Sequence, residues 1–195
     1  ARYRGLDVVV LELMDRIMPS VLDEEGARLL TEKIREKGVD LRTGVSTQRF
    51  EKMDDGTFKI HLAGGEEIEA DFVIVGTGVR SNIGFLKDTD IQTERGILVD
   101  SHMRTNIPNI YAAGDVAAGP TTFGDEHLIH ALWPTACEMG KTAGKNMAGI
   151  DFEYEGSLNM NVTEMYGVTV ASMGKFYDAD ADQTYVFDET AGSGY

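Results

Sequence analysis

The 195 residues, 42% of them hydrophobic, suffice for one large domain or two small ones and exclude wholesale disorder. With 33 acidic against 18 basic residues the net charge is -15, which argues against nucleic acid or an anionic membrane surface as a partner. No apolar run approaches the ~18 residues of a membrane helix, and the lone Cys137 excludes an intrachain disulfide or dithiol pair, which fits a reducing cytoplasm.

No signal peptide is visible. The opening Ala1-Arg-Tyr-Arg-Gly5 runs almost at once into a strand, as expected of a chain cut from something larger or of a processed one. Val8-Val-Val-Leu11 is a continuous aliphatic run expected to be a strand buried on both faces. A helix is expected next, with Asp23 as N-cap, acids in its first turn and Gly38 at its C-terminal end. Ala27, Leu30 and Ile34 recur along it at helical spacing. Val39-Asp-Leu41 follows as a strand. Val45 to Phe50 and Phe58 to Leu62, broken by Asp54-Asp-Gly56 and Gly64-Gly65, predict a small antiparallel meander. Phe72-Val-Ile-Val75 predicts another strand. Strand, helix, strand, meander, strand is the pattern of a parallel α/β sheet.

After Gly78 the texture changes. Ile97-Leu-Val99 and Ile110-Tyr-Ala are expected as short strands, with turn chemistry at Asn106-Ile-Pro-Asn109. A long helix is predicted from His127 to Met147, with Leu132, Ala136, Met139, Ala143 and Met147 on one face. Pro134 lies near its start, and Gly140 and Gly144 would let another backbone approach. From about Asp151 the composition shifts to a β-rich texture. Asn161 to Val170 alternates with period two, and Gln183 to Phe187 reads as a further strand.

Several groups bear on chemistry. Glu12 ends a strand, where α/β sheets bind ligands. A carboxylate there can take the ribose hydroxyls of NAD and would repel the 2′-phosphate of NADP. Taken alone it is equally a solvated acid, and no glycine fingerprint precedes it. Gly76-Thr-Gly78-Val-Arg-Ser81 approaches that fingerprint but ends in serine with no strongly periodic helix after it, so it reads as a glycine turn leaving a strand. His127 and His130, on one helix face with Cys137 two turns on, lack structural-zinc spacing. Asp178 to Glu189 places acids as a calcium loop does, but Gln183 stands where the turn needs glycine, so an acidic hairpin loop is the better reading. No metal site is expected.

The order of these signals carries more than any one of them. Glu12, Asp15-Arg-Ile-Met-Pro19, the helix from Asp23, Ala70 to Asn82, Thr105-Asn-Ile-Pro-Asn-Ile-Tyr-Ala-Ala-Gly-Asp115 and Ala136-Cys-Glu-Met-Gly140 follow one another. The series resembles the FAD-dependent pyridine nucleotide-disulfide oxidoreductase family, in the manner of NADH oxidases, rubredoxin reductases and the flavin domains of nitrite reductases. The resemblance implies an α/β fold, part of an FAD/NAD(P)-binding Rossmann-like three-layer ββα architecture followed by the start of a β-rich interface domain. It implies that residues 1–77 are the second half of an NAD-binding domain, 78–150 the C-terminal part of an FAD-binding domain, and 151–195 the opening of the interface domain. It further implies cofactor roles residue by residue. Glu12 selects NAD, Val45 flanks the adenine by its backbone, and Gly78 lies near the nicotinamide half. Asp115, after the small residues Ala112, Ala113 and Gly114, binds the ribityl chain of FAD. Ala131, Leu132, Trp133 and Pro134 form the helix start that meets the flavin pyrimidine. The family's FAD fingerprint, the first glycine loop of the NAD domain and the redox-cysteine segment are not in this sequence, and Cys137 matches no catalytic thiol.

The expected function is therefore part of an NADH-dependent flavoprotein that passes hydride from NADH to flavin and on to an acceptor, small molecule or redox protein. No side chain here is required as acid or base, so no catalytic residue is assigned. A homodimer is possible through the interface domain. The alternative is a structural fragment that binds neither cofactor tightly, because the phosphate-cradling loops are missing.

Overall fold

The computed structural model describes residues 1–123 and 126–174. The predicted strand at Gln183–Phe187 and the acidic segment Asp178–Glu189 lie outside them.

Strand β1 (Val9–Leu11) pairs in parallel with β2 (Asp40–Arg42), Val10 opposite Leu41. Between them runs α1 (Glu24–Glu36). Its start is chemically fixed, since the Asp23 carboxylate accepts the Gly26 N–H at 2.8 Å and Glu24 and Glu25 fill the first turn. Its end is fixed by Gly38, at φ +76°, whose N–H bonds the Arg35 carbonyl at 2.8 Å. Ala27, Leu30 and Ile34 are buried against Val39, Leu41 and Ile17, a first core. β1 has only β2 as a neighbour among the described residues, so Val9 and Val10 are 42% and 39% exposed and the expected burial on both faces is not met.

The antiparallel meander consists of β3 (Thr47–Lys52), β4 (Phe58–Leu62) and β5 (Glu67–Ala70). β5 takes the third place, at residues whose charged texture hid it. Phe72–Val75 forms no strand, and Phe72, Ile74 and Val75 are 74%, 79% and 63% exposed. A strand exists through its ladder, and no described segment offers one to these residues.

A second core gathers around β6 (Ile97–Leu98) and β7 (Ala117–Pro120), which pair in parallel, with β8 (His127–Leu128) antiparallel to β7. Met103 is fully buried there with Val99, Met139 and Tyr154. Ile110–Ala112 makes only a bridge from Tyr111 to Arg104 rather than the expected strand. The helix foreseen from His127 starts six residues later, as α2 (Trp133–Met147), because residues 127–128 are spent on β8. His127 and His130 therefore share no helix face. The buried side of α2 is Thr135, Met139, Thr142, Ala143 and Asn146, whereas Met147 is 67% exposed. Gly140 and Gly144 meet nothing within 4 Å of an added Cβ, so no described backbone approaches them.

The hairpin β9 (Met160–Met165) and β10 (Val168–Met173) confirms the period-two alternation. Its tip, Tyr166-Gly167, has both φ angles positive, as a two-residue type I′ turn requires. Met165, Tyr166, Val168 and Val170 pack on the first core. No helix among the described residues is long and apolar enough to cross a membrane.

Candidate functional site

The expected cofactor residues gather in two places. At the end of β1, the Glu12 N–H bonds the Arg42 carbonyl and the Glu12 carbonyl accepts the Val45 N–H, each at 2.9 Å. Glu12 and Val45 are thus adjacent across the parallel pair. The Glu12 carboxylate bends back to accept the Met14 N–H on Oε1 at 2.9 Å. That bond fixes the carboxylate at the strand end with Oε2 free of protein partners among the described residues. The flanking Leu13 and Met14 side chains are exposed. An anchored carboxylate at a strand end, next to a turn backbone, can accept from a pair of vicinal hydroxyls.

The second place is built around the run Ile110–Asp115. Thr105 fastens its start. The Thr105 N–H bonds the Ile110 carbonyl at 2.9 Å, and its hydroxyl accepts the Ile107 N–H at 3.2 Å. The Ala112 N–H then bonds the Met103 carbonyl at 3.2 Å, tying the run to the second core. Gly114 follows at φ +79°, and a Cβ there would lie 3.5 Å from the Ala136 Cβ in the first turn of α2. The turn therefore sets its backbone directly against that helix start.

Asp115 is exposed, and no described residue bonds or pairs with its carboxylate. Its carbonyl accepts the Ser81 hydroxyl at 2.6 Å. Ser81 belongs to the run Gly76–Ser81, so the loop carrying Gly78 (φ +87°) is fastened three residues on to the Asp115 turn. Sequence reasoning quoted Ser81 only as a departure from a glycine fingerprint; its role as a tether had no sequence signal.

The helix start itself is bare. Leu132 is the N-cap and caps nothing with its side chain, no acid sits in the first turn, and Pro134 brings no N–H. The remaining first-turn donors and the positive end of the helix dipole are open to an acceptor from elsewhere. Ala131, Trp133 and Pro134 are exposed, Trp133 at 80%. Just before them, the Nδ1 of His130 is buried with no partner, and burial lowers the pKa of this imidazole, keeping it neutral at neutral pH. The positive potential here is the helix's own. A free carboxylate, a backbone stripped of side chains and an uncapped helix N-terminus can together take polyol hydroxyls at one end and an electron-rich ring edge at the other.

Among the described residues no group of three or more His, Cys, Asp and Glu could hold a metal. Cys137 is half-buried in α2.

The profile of the pyridine nucleotide-disulphide oxidoreductase family matches residues 1–140. The chain is 32% identical over 192 residues to a nitrite reductase [NAD(P)H] of Bacillus subtilis, which covers 96% of this chain and 23% of that protein. It is 30% identical over 176 residues to an NADH oxidase of Methanocaldococcus jannaschii, covering 89% of this chain and 38% of that protein. Among solved structures, the water-forming NADH oxidase of Lactobacillus brevis bound to NADH superimposes with a TM-score of 0.81 at 28% identity, over 89% of this chain and 38% of that one. A NAD-dependent persulfide reductase of A. fulgidus gives 0.79 at 30% identity, over 87% and 31%. The chain thus spans well under half the length of each of these relatives. It belongs to the pyridine nucleotide-disulphide oxidoreductase family.

Proposed function

We propose that the chain is part of an NADH-dependent FAD flavoprotein that moves electrons from NADH to an acceptor. In this reading residues 1–77 are the second half of an NAD-binding domain, 78–150 the last part of an FAD-binding domain, and 151–195 the start of an interface domain. The observation that carries it is the Gly114-Asp115 turn set against the uncapped start of α2.

Those residues fit a flavin. The exposed Asp115 carboxylate suits the hydroxyls of a ribityl chain, and Gly114, lacking a side chain, leaves its backbone open to a bulky ligand. The bare first turn, with Ala131, Leu132, Trp133 and Pro134, suits the pyrimidine edge, where reduction adds negative charge. Bound FAD supplies the redox chemistry; the chain binds, orients and polarises. Glu12 and the Val45 backbone suit the adenosine end of NADH, and a fixed carboxylate disfavours a 2′-phosphate. The Gly78 loop, tethered by Ser81 to Asp115, links the nicotinamide side to the flavin wall.

The test is anaerobic addition of NADH to the intact purified protein loaded with FAD. The flavin absorbance band is expected to bleach with NADH. A protein that is colourless and takes up no added FAD supports the other reading, an inert fragment. The exposed Phe72, Ile74 and Val75 are the observation favouring that alternative, since this apolar run has no strand partner among the described residues.

A further inference from the structure

A chain of hydrogen bonds behind Glu12 runs through Met14 and ends on Gly44. Met14 donates its N–H to the Glu12 carboxylate at 2.9 Å. The Met14 carbonyl accepts the Gly44 N–H at 2.7 Å. The next residue, Val45, donates to the Glu12 carbonyl at 2.9 Å, closing a ring through Glu12, Met14, Gly44 and Val45. The ring needs Gly44 to point its N–H at Met14 while Val45 points its own at Glu12. The chain achieves this at φ +69°, in the left-handed region. An added Cβ at Gly44 would meet nothing within 4 Å, so the demand for glycine is conformational and not spatial.

We propose that Gly44 is a positioning residue for cofactor selection: its left-handed turn holds Met14, and Met14 aims the Glu12 carboxylate. This rests on the reading of Glu12 as the acceptor of the adenosine ribose. A side chain at Gly44 pushes φ towards the right-handed or extended regions, withdraws the N–H from Met14, and frees the residue 13–14 backbone to turn. The carboxylate then loses its fixed donor and samples several rotamers. Discrimination between a ribose 2′-hydroxyl and a 2′-phosphate falls, while the carboxylate itself remains.

The experiment measures, in the intact protein, the affinity ratio of 5′-AMP over 2′,5′-ADP by calorimetry, together with the melting temperature. Gly44→Val is expected to lower the ratio about tenfold, equivalent to about 1.4 kcal/mol. Gly44→Asn, which tolerates left-handed φ, is expected to keep it within about twofold. Gly56→Val serves as control: it also changes an open glycine, at φ +92° in the meander turn, so it lowers the melting temperature but leaves the ratio unchanged. A Gly44→Val ratio equal to wild type overturns the proposal, as does a Gly56→Val ratio that falls as far. Glu12→Gln separates the two levels. If it leaves the ratio unchanged, or the wild type binds neither nucleotide, the reading of Glu12 fails and the proposal with it. If Glu12→Gln lowers the ratio and Gly44→Val does not, only the positioning role fails.

Discussion

Replacing Gly114 by alanine probes the site at the left-handed turn that faces the start of α2. The residue lies at φ +79°, where an L side chain costs roughly 1–2 kcal/mol. Alanine recovers about 0.5 kcal/mol by narrowing the unfolded ensemble. Sterics add little, because the new Cβ would sit 3.5 Å from the Ala136 Cβ, an ordinary contact. The net loss is about 1 kcal/mol. Gly114→Val is expected to lose more, since a β-branched side chain is worse in this region and its methyls enter the first turn of α2. Urea unfolding of the intact protein measures the first effect, and flavin content after purification the second, which is expected to fall together with stability. If Gly114→Ala is as stable as wild type and keeps its flavin, the turn does not hold the left-handed conformation against α2, and the argument built on it fails.

Other consequences can be measured alongside. Leu30 is 2% exposed at the centre of the first core, so Leu30→Ala is expected to cost about 2–5 kcal/mol in denaturant unfolding. Asn146 donates to the carbonyls of Thr142 and Phe152 and accepts the Phe152 N–H; Asn146→Ala is expected to cost about 2 kcal/mol and to speed proteolysis between residues 147 and 153. The carboxyl of Asp40 is held below its usual range by a hydrogen bond from Arg42, and that of Glu51 by its bond to His61. A lowered folded-state pKa stabilises above the unfolded value near 4 and loses that stabilisation as pH falls through the folded one. Melting temperature is therefore expected to drop as pH falls below about 4, and to drop less in Arg42→Gln; an equal drop in the two proteins would contradict the Asp40–Arg42 pairing.

Local signals were legible where local chemistry decides. The span of α1 followed from Asp23, the acids after it and Gly38, and its buried face from Ala27, Leu30 and Ile34. The β texture of residues 161–170 followed from alternation, but the turn at Tyr166-Gly167 that splits it into two strands did not. What depended on neighbours was not legible. Phe72–Val75 has every propensity of a strand but no ladder to join among the described residues. Ala117–Pro120 has little strand propensity, yet pairs with Ile97–Leu98 because its small residues fit under Met139 and Met103: a Cβ on Gly119 would already be 3.1 Å from the Met139 Cε. The start of α2 was misplaced because His127 and Leu128 are claimed by a partner strand. In the site, Glu12 and Asp115 were legible as carboxylates at element ends. Their fastenings were not, because Met14, Gly44 and Ser81 act through backbone or hydroxyl contacts that span the chain.

The central claim is that the Asp115 carboxylate and the α2 start form one wall of a flavin site. It is tested most directly by titrating FAD into the flavin-free intact protein and into its Asp115→Ala variant, with flavin fluorescence as readout. The account predicts an affinity loss of about tenfold or more, the worth of losing a hydrogen bond to a charged acceptor. Equal affinities in the two proteins would contradict it.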